Sequence, residues 1–255
     1  MNLETMFKHA ENLYASGEYN KALKIFKKMT AIQPDNDGLN YIGCCHIELG
    51  EYERAREIFL QLTAASPDWE RPYFNLGRVY LREGNTSAAY EWLTKAKTIN
   101  PNNEDCLYYL GVYYESIGNY NMAAEYYMLS ISVNYFQPET HLNLGVCYFN
   151  QENFTDALHE FKVAQSIDSS CYASLYNQAR IYMKFEEYQK ALDTLLECIR
   201  QKPDDIDCMM QIVRTYMKLE KTELAHDWNN RILSIQPDNN LALAANKIFE
   251  TTLRK

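Results

Sequence analysis

The chain has 255 residues, with 34 Asp and Glu against 25 Lys and Arg and a formal net charge of -9. That balance argues against a general nucleic-acid binder, which displays a basic footprint, and no apolar run approaches the ~20 residues that span a bilayer. Residues Met1 to Lys8 hold no apolar core of a secretory signal, and seven scattered cysteines suit packing in a reducing compartment, so a cytoplasmic chain is expected.

In chain order, the predicted elements are pairs of short helices. The pairs are punctuated at Pro34, Pro67, Pro101, Tyr135, Ser169, Pro203 and Pro237, at intervals of 33, 34, 34, 34, 34 and 34 residues. One alanine recurs at the same phase in every interval: Ala22, Ala55, Ala89, Ala123, Ala157, Ala191 and Ala225. The first interval carries His9 where the third, fourth and fifth carry Leu. The second holds Gly43 and the turn Leu49-Gly50-Glu51-Tyr52. The third gives the fullest pattern, with Tyr73, Leu76, Gly77, Tyr80, Ala89, Leu93 and Ala96 before Pro101. The fourth pairs Gly111 with Ala123 across Ile117-Gly118-Asn119-Tyr120. The fifth repeats the theme with Leu144, Gly145, Tyr148, Phe154, Ala157, Phe161 and Ala164. The sixth departs at Gln178, and the seventh at Val213 and Asn229. Residues 240–255 form a further predicted helix with Leu241, Ala245, Ile248, Phe249 and Leu253. It ends in Arg254 and Lys255, cations that suit a helix C-terminus.

The spacing has a physical reading. Residues three and four apart share a helix face, so each first helix presents one apolar stripe and each second helix another. Glycine and alanine at the facing positions let two backbones approach, with aromatics filling the gaps beside them. Pro-Asp-Asn at 34–36 and 237–239 and Pro-Asn-Asn at 101–103 break one helix and supply N-caps for the next. No pair buries its apolar face alone, so stability comes from stacked neighbours.

These residues resemble the tetratricopeptide repeat family over residues 3–239. The family pattern asks for a bulky apolar residue at repeat position 4, Leu at 7, Gly or Ala at 8, an aromatic at 11, Ala at 20, an aromatic at 24, Ala at 27 and Pro at 32. The resemblance implies an all-α fold: a right-handed superhelix of about seven helix-turn-helix repeats over 3–239, closed by a capping helix over 240–255. It also implies a concave groove lined by positions 2, 5, 6, 9, 12 and 13 of each first helix.

No sequence signature of catalysis stands out. Walker, GxGxxG, GxSxG, HExxH and paired-CxxC patterns are missing from the sequence, so the chain is read as non-enzymatic and without a cofactor. Cys44-Cys45-His46 combines metal-ligating types, yet adjacent helical residues fan out by about 100° and do not converge on one ion. Most of the 21 tyrosines fall at framework positions such as Tyr80, Tyr114, Tyr148, Tyr182 and Tyr216. Tyr41, Tyr108, Tyr109 and Tyr176 instead fall at groove positions.

The candidate peptide-binding residues are Asn75, Arg78, Arg82, Tyr108, Asn143, Tyr176, Asn177, Arg180, Lys184, Arg214 and Lys218. Asparagines at position 6 (Asn75, Asn143, Asn177) are implied by the resemblance to hold a peptide backbone, since an amide both donates and accepts. Asparagine is also simply common there in the family. Arg78, Arg180 and Arg214 stand at position 9, with Arg82, Lys184 and Lys218 four residues later. Repeats six and seven thereby place four cations together, which calls either for an anionic ligand or for neighbouring acids. The ligand classes are an acidic peptide, a C-terminal carboxylate or a phosphorylated segment. The two-carboxylate clamp of chaperone-tail binders is not matched in any three successive repeats: Phe7 and Glu11 stand where it needs Lys and Asn. The reading is a scaffold that binds a protein segment in its groove, with no nucleic acid and no membrane insertion. The alternative is an assembly subunit of a multiprotein complex, held through its convex face or edges.

Overall fold

The computed structural model describes residues 2–252, with side chains as far as residue 249. Among the described residues there are fifteen α-helices and no strand. They fall into two compact units, Met1–Tyr135 and Phe136–Lys255.

The first unit holds α1 (Leu3–Ala15), α2 (Tyr19–Ile32), α3 (Asn36–Glu48) and α4 (Tyr52–Ala65). It continues through α5 (Glu70–Arg82), α6 (Thr86–Ile99), α7 (Glu104–Ser116) and α8 (Tyr120–Val133). The second holds α9 (Pro138–Asn150), α10 (Phe154–Ile167), α11 (Tyr172–Lys184), α12 (Tyr188–Gln201), α13 (Ile206–Lys218), α14 (Thr222–Ile235) and α15 (Asn240–Thr252). In each unit successive helices form hairpins, and each hairpin packs on the next.

The recurring alanine is the hinge of every hairpin: all seven copies are 0 % exposed. At position 8 the backbones come so close that a Cβ on Gly77 would meet Leu93 Cγ at 2.5 Å. The helix ends follow the sequence too. Asp35 accepts from Gly38 N at 2.6 Å, Asn103 from Cys106 N at 2.8 Å and Asn239 from Ala242 N at 3.0 Å. These side chains satisfy donors that no helix can pair internally.

The two units turn their hairpins differently. In the first, Gly17, Gly50, Gly84 and Gly118 adopt positive φ between α1 and α2, α3 and α4, α5 and α6, and α7 and α8. In the second, Glu152, Glu186 and Glu220 occupy the same place at φ 60, 59 and 58. A side chain there is held against its preference.

The departures from the repeat pattern are absorbed by hydrogen bonds or by water. Gln178 is buried and its amide donates to Phe161 O at 3.4 Å, and Asn229 donates to Ala242 O at 2.9 Å. His9 is exposed. Helix α15 buries Ala242 and Phe249 in the second unit's core and leaves Leu241 61 % exposed. The expected cap residues Leu253, Arg254 and Lys255 lie outside the described residues.

Candidate functional site

The candidate residues fall into two groups with different surroundings. In the first unit, Asn75 and Arg78 on α5 line a cleft of about 270 Å³ together with Asn40, Arg71, Asp105 and Tyr109. Asn75 is buried and donates to Asn40 Oδ1 at 3.0 Å. The Arg78 side chain is only 12 % exposed and is paired with Glu48, at the end of α3. Its guanidinium also lies 5.6 Å from the Tyr109 ring centroid. Burial pushes the Tyr109 hydroxyl up to about 12. Arg78 is thus a cation neutralised inside the protein. Arg82 is exposed one turn further along α5. Tyr108 lies edge-on to Tyr109 at 5.1 Å and tilted against Tyr127 at 5.8 Å.

Tyr41 and Tyr109, flagged by sequence as groove residues, are committed to packing within the same unit. Tyr41 stacks on Phe26 at 4.8 Å and donates its hydroxyl to Glu11 at 2.8 Å. Tyr109 stacks on Phe74 at 6.2 Å.

The second unit carries the other group. Arg180 and Lys184 lie on α11, Arg214 and Lys218 on α13, and all four are exposed. Thr215 Oγ1 donates to Gln211 O at 2.7 Å and lies 3.2 Å from Met183 Sδ, a point of contact between α13 and α11. No carboxylate oxygen lies within 4.0 Å of any of the four among the described residues. Aromatic rings hold two of them: the Arg180 guanidinium sits 4.4 Å above Phe149, and the Lys184 ammonium 5.1 Å from Phe154. Such stacking fixes a cation while leaving its N–H groups available to an anion. Asn177 accepts from Arg180 at 3.0 Å. Tyr176 stacks on Tyr172 at 6.2 Å and packs against the core. Asn143 lies on α9, half-buried, beside this group rather than within it.

One register links the two groups. Glu48 and Arg78 are 30 residues apart, at position 13 of one repeat and position 9 of the next. Lys184 and Arg214 occupy those same two positions at the same interval. The place that holds an ion pair in the first unit holds two cations in the second. Sequence reasoning found the cations but missed Glu48, whose signal was this interval.

The metal-like cluster is dispersed. Cys45 packs with Ala22 and Phe26, Cys44 with Phe59 and Leu76, and His46 Nδ1 pairs with Glu51. Burial pushes the Cys44 thiol up to about 11. All seven cysteines are free, and only Cys171 is not fully buried. No helix among the described residues is long and apolar enough to cross a membrane.

Successive hairpins of this length, with a buried alanine at each, define a helical-repeat protein. Models of the tetratricopeptide repeat match residues 13–76, 70–103, 105–135 and 142–206, and the chain belongs to that family. Its all-α fold is shared with the APC/C hetero-tetramer Cut9-Hcn1, at a TM-score of 0.75 and 22% identity over 94% of this chain and 48% of that one. Pseudomonas aeruginosa pilF matches at a TM-score of 0.73 and 16% identity over 85% of this chain and 97% of its own. A BBSome complex member, the BBS4 homolog of Drosophila melanogaster, is 33% identical over 58 residues, 23% of this chain and 12% of that protein. The chain thus spans about an eighth of this curated relative and about half of the Cut9-Hcn1 chain.

Proposed function

We propose that this chain is a non-enzymatic interaction scaffold whose second unit grips an anionic segment of a partner protein. The carrying observation is that Lys184 and Arg214, both exposed, occupy the repeat positions at which Glu48 neutralises Arg78. Like charges four residues apart on each helix, Arg180 with Lys184 and Arg214 with Lys218, repel, and an external carboxylate or phosphate relieves that repulsion while gaining charge-assisted hydrogen bonds. Arg180, stacked on Phe149, supplies a guanidinium fork of fixed orientation. Asn177 and Asn143 would hold the backbone of the same segment, and Arg82 and Tyr108 are proposed as a separate contact surface within the first unit. Asn75 and Arg78 are proposed to stiffen that unit.

Affinity purification with Arg180→Glu together with Arg214→Glu tests the reading. The double variant should lose wild-type partners while keeping wild-type melting. Retention of every partner by a folded double variant refutes groove binding through these cations.

One observation favours the second reading, an assembly subunit. On α8, the second helix of its hairpin, Leu129 is 47 % and Val133 45 % exposed. The names of the relatives, a hetero-tetramer and a complex member, agree with such a role. Partner loss on Leu129→Glu, with the cation variant unaffected, selects this reading.

A further inference from the structure

A second feature lies beside Arg214. Helices α13, α14 and α15 enclose a cleft of about 270 Å³ walled by Met210, Val213, Leu241, Ala244, Ala245 and Ile248, with Arg214 at its edge. Clefts that take whole small molecules run from about 300 to 1,000 Å³; this smaller one suits a single large side chain.

The wall supplied by α15 is the unusual part. Leu241 and Ile248 stand at positions 2 and 9 of this helix, the groove positions that carry Asp207 and Arg214 on α13. They are 61 % and 59 % exposed. Two large aliphatic side chains left in water forgo the free energy that burial would return. Their place with Arg214 around one cleft gives an occupant two marks: an apolar body to fill the space and a negative charge to meet the guanidinium.

We propose that this cleft takes a large aliphatic or aromatic side chain from the same segment whose anionic group Arg214 and Lys218 engage. The ligand is then an acidic-hydrophobic peptide, with its apolar residue at a fixed spacing from its acid, rather than any polyanion. This inference rests on the anion-binding reading above and adds the side-chain specificity to it. Charge complementarity selects the peptide over a purely apolar occupant, since burying Arg214 beneath an uncharged partner leaves a cation unpaired.

The test is a selection of random short peptides displayed on their encoding RNA, against the full chain at low salt. The selected peptides should share an Asp or Glu and, at constant spacing, a Leu, Ile, Met or Phe. Ala244→Phe fills the cleft from an exposed position and should weaken the selected peptides at least tenfold. It should not weaken the same peptides once their apolar residue is Ser. Leu241→Ser, which removes one wall, should act in the same direction. Unchanged melting of both variants certifies the fold.

An acidic consensus without an apolar position, insensitive to Ala244→Phe, overturns the inference and leaves the anion-binding reading standing. A consensus without acids, insensitive to Arg180→Glu with Arg214→Glu, overturns both. A dimer in sedimentation that Ala244→Phe dissociates assigns the cleft to a second copy and likewise overturns the peptide.

Discussion

In the first unit Arg78 is folded against Glu48 and almost withdrawn from solvent, whereas in the second Lys184 and Arg214 occupy the same two repeat positions as exposed cations. The units share hairpin lengths and the buried alanine. They differ in what one acid does. Where Glu is present, the position-9 arginine becomes part of the structure. Where Lys replaces it, the arginine stays exposed, with no carboxylate oxygen within 4.0 Å among the described residues. Position 9 thus has no fixed role in this chain: Arg78 is paired with the acid 30 places earlier, and Arg214, with a lysine there, is exposed.

The comparison breaks most readily at Glu48. Glu48→Gln leaves a nearly buried guanidinium uncompensated and should cost about 2–3 kcal/mol. Arg214→Gln, at an exposed and unpaired site, should stay within about 0.5 kcal/mol. Urea unfolding gives the magnitudes, and hydrogen exchange places the Glu48→Gln loss in α3 and α5. Equal effects of the two substitutions contradict the assignment of roles.

The second contrast is at position 8. Gly77→Ala forces a methyl into Leu93 and should destabilise by about 1–3 kcal/mol through overpacking. Ala179, at the same position of α11, is 1 % exposed. There the reverse change, Ala179→Gly, should cost about 1 kcal/mol, chiefly in helix propensity. Thermal melts of the two variants compare directly.

Thiol chemistry sets Cys171 of the second unit apart from the six buried cysteines, with a smaller energy but a clear readout. Burial pushes Cys45 and Cys106 up to about 12 and Cys44 to about 11. A native protein treated with maleimide at neutral pH should therefore be modified first at Cys171, at the start of α11. Mass spectrometry of the adduct checks this; early modification within the first unit counts against the packing described for it.

The smallest expected effect lies in the turns. Glu186→Gly relieves a left-handed residue and should stabilise by about 0.5 kcal/mol, the strain relieved exceeding the entropy that glycine adds. Gly84→Glu in the first unit should cost about 1 kcal/mol by the same logic. A melting temperature that moves the same way in both variants is inconsistent with it.

The fold was legible because its determinants are local and periodic. The alanine series that runs from Ala22 to Ala225, the glycines Gly43, Gly77, Gly111 and Gly145, and the caps at Asp35, Asn103 and Asn239 each act within one hairpin or one turn. The candidate site was legible only in part. The cations on α11 and α13 could be read from helix phase, and their exposure agrees. Arg78 could not be told apart from Arg214 by phase alone, because its partner sits on the neighbouring repeat and the two arginines carry the same position number. Tyr41 and Tyr109 read as groove residues, and both line the first unit's cleft while each also packs against a ring from another helix, which phase alone does not reveal. Asn229 and Gln178 looked like defects of the pattern because the carbonyls that satisfy them, Ala242 O and Phe161 O, belong to other helices.

The central claim is that the second unit's cations await an anion that the first unit supplies for itself. Lys184→Glu transplants the first unit's solution, setting a carboxylate 30 residues before Arg214, as Glu48 stands before Arg78. Isothermal titration with the acidic peptides selected on the wild type measures the consequence. The account predicts affinity at least tenfold weaker, a loss of about 1.4 kcal/mol or more, in a protein at least as stable as wild type. Unchanged affinity in that folded variant would mean that the cations of α11 and α13 are a solvated face and that the partner binds elsewhere.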